Sequence, residues 1–89
     1  MERRSDMPSE KEIISEIEKI VGTYSYWTIG VTEDPERRKQ EHGNPTPWHH
    51  WDAVLESSAR NIEKYFLAKG MKGDVGGGNR PHYVYIFWK

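Results

Sequence analysis

The chain contains no cysteine. A disulfide framework is therefore excluded, and a cytoplasmic protein is the expectation. Long apolar runs are missing too. No stretch approaches the ~18 residues that span a membrane, and the charged, polar N-terminus is unlike a secretory leader. Net charge is nearly absent, −1 at pH 7, which is weak ground for a strong nucleic-acid binder. What charge there is lies unevenly. Residues 1–56 carry seven Lys/Arg against twelve Asp/Glu, net −5, while residues 57–89 carry six against two, net +4. The basic set of the second half is Arg60, Lys64, Lys69, Lys72, Arg80 and Lys89. Such a set suits a phosphate-facing surface or simply attracts the acidic half.

What is present is one domain's worth of chain, 89 residues, rich in large rings: four Trp, five Tyr and two Phe. At this length roughly 60–65% of the unfolded surface is buried on folding, so the aromatics must supply much of the core. Residues 1–8 read as a tail, and 9–89 as a single domain. Ser9 and Glu12 form a capping-box pattern, after which Ile13, Ile14, Ile17, Ile20 and Val21 share one helical face. A helix over 10–21 is expected, ending at Gly22. Residues 23–32, β-branched and aromatic, predict a strand. Asp34-Pro35 starts a helix that runs to His42 and stops at Gly43. Two prolines make 44–47 a loop. Alternation makes 48–56 a strand. Ser57 or Ser58 caps a helix over 59–69 that turns Ile62, Phe66 and Leu67 inward and stops at Gly70. Residues 73–79 read as a flexible glycine-rich loop, and 82–88 as the clearest strand. The expected fold is α+β, a small three-stranded sheet covered by three helices.

The run Thr28-Ile29-Gly30-Val31-Thr32-Glu33-Asp34-Pro35-Glu36-Arg37-Arg38-Lys39-Gln40-Glu41-His42 carries chemistry. Arg38 lies eight residues after Gly30, and His42 follows one helical turn later on the same face. Ala59 and Glu63 form an Ala-x-x-x-Glu step on the next helix. In this order and spacing the run over 27–67 resembles the GIY-YIG nuclease superfamily, in its small single-domain branch. The resemblance implies a metal-dependent endonuclease that cleaves phosphodiester bonds in DNA. It implies Arg38 as the charge stabiliser, Glu63 as the ligand of Mg²⁺, and His42 with a tyrosine handling the proton. These residue types suit that reaction. A guanidinium forks onto phosphate oxygens, and Mg²⁺ needs few protein carboxylates because it keeps water and takes substrate oxygens.

The chain departs from the family pattern twice. Thr28 stands where the second signature strand has its tyrosine, and the first signature strand is absent upstream. Residues 83–86, Tyr83-Val84-Tyr85-Ile86, resemble that missing strand. If they pair beside 24–31, the domain is a circularly permuted version with Tyr85 in the first tyrosine's place. Two functions fit: the nuclease, with Arg60, Lys64, Lys72 and Arg80 as its nucleic-acid contacts, or a non-catalytic module that binds nucleic acid or a protein. Plainer roles exist for each residue. Arg38 is spaced to pair with Asp34, His42 as a cation suits a helix C-terminus, and Tyr83, Tyr85, Phe87 and Trp88 suit a core. Zinc is not expected of His42, His49, His50 and His82, which lack ligand spacing. Gly76-Gly77-Gly78 lacks the order of a P-loop. Trp48 and Trp51 suit either stacking on bases or packing beneath the proline loop.

Overall fold

A computed structural model describes residues 9–74 and 80–88. The expected tail at 1–8, and 75–79 of the expected glycine loop, lie outside the described residues. In chain order the elements are helix α1 (Glu10–Ile20), a 3₁₀ turn (Tyr24–Tyr26), strand β1 (Trp27–Thr32), helix α2 (Pro35–Glu41), strand β2 (Trp48–Asp52), helix α3 (Glu56–Lys69), strand β3 (Lys72–Gly73) and strand β4 (Tyr83–Trp88).

The α+β class holds, but among the described residues the sheet has four strands, ordered β2-β4-β1-β3, rather than three. The added strand, β3, lies in what reads as loop. It is two residues long and pairs parallel to β1, Thr28 opposite Lys72 and Ile29 opposite Gly73. Its pairing is tertiary, so no local propensity announces it. β4 is central. It runs antiparallel to β1 from Trp27 opposite Trp88 to Thr32 opposite Tyr83, and antiparallel to β2 from Trp48 opposite Phe87 to Asp52 opposite Tyr83. The C-terminal strand therefore does complete the sheet beside β1.

Most helix signals act as expected. The Ser9 hydroxyl accepts from the Glu12 N–H while the Glu12 carboxylate accepts from the Ser9 N–H. The Asp34 carboxylate accepts from the Arg37 N–H at 3.1 Å, and Pro35 opens α2. Gly43 (φ +82°) and Gly70 (φ +114°) adopt the left-handed conformation that ends a helix cheaply only with glycine. α1 ends in Val21 with extended backbone, so Gly22 supplies no left-handed stop. α3 starts at Glu56 behind Leu55, whose side chain caps nothing, so neither Ser57 nor Ser58 is the cap. The chain before β1 forms a 3₁₀ turn instead of extending the strand back to 23.

Alternation divides the sheet. Trp27, Ile29 and Val31 of β1 join Val84 and Ile86 of β4 in one apolar cluster with Ile13, Ile17, Ile62 and Phe66 of α1 and α3. Leu67, expected inward, is instead 40% exposed. α3 lies on this face, and α1 packs against α3. The opposite face carries Thr28, Gly30, Tyr85 and Phe87, and α2 approaches it through β4.

Candidate active site

The site is assembled above Gly30. Tyr85 lies directly opposite it in the ladder, and the phenol ring fills the space a side chain would take. A Cβ built on Gly30 would sit 2.6 Å from Tyr85 Cζ, far inside contact distance. Glycine is needed here for close approach, since its φ is unexceptional. Trp48 of β2 stacks on the Tyr85 ring, centroids 4.7 Å apart and planes 11° apart, and closes the other side.

α2 brings the charges. Arg38 Nε donates to the Tyr85 hydroxyl oxygen at 3.2 Å. One turn on, at the helix end, the His42 ring packs 4.7 Å from that of Phe87. The Asp34 carboxylate, spaced to pair with Arg38, caps α2 through the Arg37 N–H. Arg38 instead reaches Glu41 at 2.9 Å and Asp74 at 3.1 Å.

Asp74 is the member that sequence reasoning missed. It follows β3 immediately, and its N–H donates to the Ile29 carbonyl at 3.0 Å, so the backbone is tied to the edge of β1. Its carboxylate accepts from Arg38 Nη2, from the Tyr85 hydroxyl, and pairs with His42 Nε2 at 2.7 Å. Asp74 is 32 residues from His42 and 36 from Arg38 in sequence, and only the parallel β1–β3 pairing brings it there. The sole available signal was a carboxylate placed shortly after the Gly70 helix stop.

The electrostatics follow from these contacts. Burial alone would push the Asp74 carboxyl up, but hydrogen bonds from Tyr85 and His42 and the nearby Arg38 charge outweigh it and hold Asp74 below the usual carboxylate range. Burial, then the adjacent Asp74, push the Tyr85 phenol far above its ordinary value, so it keeps its proton at neutral pH. The hydrogen bond to Tyr85, with those of Glu41 and the Asp74 charge, fixes Arg38 as a permanent cation.

Glu63, the expected metal ligand, sits half-buried on α3. Burial raises its carboxyl, the Asp74 charge raises it further, and Arg60 opposes both. Among the described residues no group of three His, Cys, Asp or Glu is gathered for a metal. A cation held as Mg²⁺ usually is, by one carboxylate plus water and substrate oxygens, needs no such group.

The expected nucleic-acid contacts are spread along α3, from its start to beyond its end. Arg60 is paired with Glu56 at 3.0 Å near the start of α3. Exposed Arg80 shares a surface pocket of about 700 Å³ with Glu33, Glu56 and His82. Lys64 is exposed midway along α3, and Lys72 lies beyond its other end on β3. A fourteen-residue helix is about 21 Å long, so Arg80 and Lys72 are far apart. His49 and His50 contact different rings, Trp27 and Trp51 against Tyr83, as residues on opposite sheet faces must. Trp51 packs against the core and donates to Glu16 at 2.8 Å, so packing is its use. No described helix is long and apolar enough to cross a membrane.

Compared with known protein families, with curated proteins and with solved structures, the chain finds no match.

Proposed function

We propose that this chain is a GIY-YIG-like, metal-dependent endonuclease that cleaves phosphodiester bonds in DNA, built on a circularly permuted sheet. One observation carries the reading. The β4–β1 pairing sets Tyr85 over Gly30 with its hydroxyl on Arg38, one turn before His42. A tyrosine from β4 meets an arginine and a histidine from α2, two stretches of sequence more than forty residues apart.

In this reading Arg38 binds the scissile phosphate and stabilises the charge that gathers on its oxygens as water adds to phosphorus and the leaving oxygen departs. Tyr85 holds its proton, so its role is to orient Arg38 and the phosphate by hydrogen bonding. The imidazole of His42 moves the proton taken from the attacking water. Glu63 would hold Mg²⁺, whose charge would polarise a phosphoryl oxygen.

A second reading, a non-catalytic module on the same fold for nucleic acid or a protein partner, is favoured by Thr28 at a signature tyrosine position and by the dispersed basic residues. Incubation with branched and linear DNA in Mn²⁺ separates the two. The nuclease reading expects cleavage that falls on the order of 10²-fold or more in Arg38→Ala, and is likewise lost in Glu63→Ala. Tyr85→Phe, which keeps the ring over Gly30, should also slow it. Unchanged cleavage in Tyr85→Phe removes the permuted tyrosine from the account. No cleavage of any DNA by the wild-type chain leaves the binding module.

A further inference from the structure

Three donors converge on a single oxygen. Oδ2 of Asp74 receives Arg38 Nη2 at 3.1 Å and the Tyr85 hydroxyl, and pairs with His42 Nε2 at 2.7 Å. Because the carboxylate is held ionised, it accepts from His42, and Nε2 carries the proton. A guanidinium N–H, a phenol O–H and an imidazole N–H around one point form a donor set suited to an oxyanion. The apolar cluster lies on the other face of the sheet, so core packing does not account for it. The present occupant is supplied by the chain, and its backbone is tied to β1 through Ile29.

We propose that Arg38, His42 and Tyr85 form an anion seat that the Asp74 carboxylate fills, and that phosphate or a phosphodiester oxygen enters only by displacing it. This rests on the phosphate-binding part of the proposed function, and not on cleavage. While Asp74 is seated, two negative groups, Asp74 and Glu41, flank Arg38, which repels a second anion. The His42 Nε2 proton is committed to the carboxylate, so the imidazole cannot accept one there. Displacement of Asp74 removes one of the two negative groups, and the His42 N–H then donates to the incoming anion. An internal ligand acts at an effective concentration on the order of millimolar or more, so the apparent affinity for free phosphate falls with the small fraction of seats left open.

The test is a titration with inorganic phosphate, against chloride at equal ionic strength, followed by ¹⁵N signals of the Arg38 Nε and the Trp48 indole. Asp74→Ala should bind phosphate at least about tenfold more tightly than wild type, and adding Arg38→Ala should abolish the gain. Asp74→Asn, of the same size and without the charge, should show part of it and serves if Asp74→Ala does not fold. In the wild-type chain, high phosphate should shift the Arg38 Nε and Asp74 backbone signals together. Equal binding by wild type and Asp74→Ala overturns the proposal. So does a folded variant that binds no phosphate, or a wild-type Arg38 shift without one at Asp74. DNA cleavage by the same proteins separates this from the catalytic reading. Phosphate binding gained in Asp74→Ala with no cleavage by any form leaves the seat standing and ends the nuclease. Cleavage by wild type that Asp74→Ala loses makes Asp74 a working group and overturns the seat.

Discussion

On the α3 side of the sheet, Ile29 stands opposite Ile86 and Val31 opposite Val84, under Ile62 and Phe66 that are wholly buried. On the α2 side, one residue along the same strands, Gly30 stands opposite Tyr85 and Thr28 opposite Phe87, beneath Arg38 and His42. The first face is closed by apolar volume, with ionisable groups such as His49 and Glu63 only partly buried at its margins. The second leaves a vacancy at Gly30, fills it with a ring that carries a hydroxyl, and surrounds that hydroxyl with charges. Two strands six residues long thus serve stability with alternate side chains and polar chemistry with the others. A sheet covered on one face by α3 and α1 can carry charged groups on the other, where Tyr85 and Phe87 are themselves buried beneath them.

The comparison breaks hardest on the apolar side. Phe66→Ala should remove about 3–5 kcal/mol, a large share of the ~5–10 kcal/mol expected of a domain this size. Urea denaturation measures it, and both faces should unfold in one transition. Gly30→Ala strikes the other side alone. The backbone accepts alanine, but its Cβ meets the Tyr85 ring, so a loss of about 1–3 kcal/mol is expected. The Trp48 indole signal should move while the methyl signals of Ile62 and Ile86 stay in place. Methyl shifts as large as the indole shift would mean that the two faces are not separable.

The smallest effect sharpens the electrostatic side. Glu63 has a raised carboxyl, so its ionisation opposes folding above that raised value and ceases to do so as pH falls through it. Glu63→Gln should therefore raise Tm at neutral pH, and the gain should fade on acidification. Asp74 works with the opposite sign. Its lowered carboxyl contributes stability that is fully present above the unfolded value and is lost as pH falls through the depressed one. Thermal melts of wild type and Glu63→Gln across acid to neutral pH check the sign, and a Glu63→Gln gain that grows on acidification would contradict it.

Local signals were legible where one residue type solves a backbone problem. Ser9 with Glu12, Asp34 before Pro35, Gly43 and Gly70 each act as read. Helical spacing alone puts Arg38 and His42 on one face and 82–88 is plainly a strand, but the expectation that Tyr85 would stand near them came from the family resemblance. Asp74 was not, because a two-residue parallel pairing has no periodicity, and glycines on both sides made the segment read as loop. The start of α3 was hidden for a related reason: Leu55 caps with no side-chain hydrogen bond, while two nearby serines offered the usual sign. The dispersal of Arg60, Lys64, Lys72 and Arg80 is a tertiary fact that a net charge of +4 over 57–89 does not contain.

The most direct measurement is a Mg²⁺ or Mn²⁺ titration followed by backbone NMR, with and without a branched DNA. The account predicts changes centred on Glu63, with Arg38, His42 and Asp74 responding when DNA is present. No change at any of these positions at millimolar metal, with DNA present, would contradict the proposed phosphodiesterase reading and leave the polar face of the sheet to some other contact.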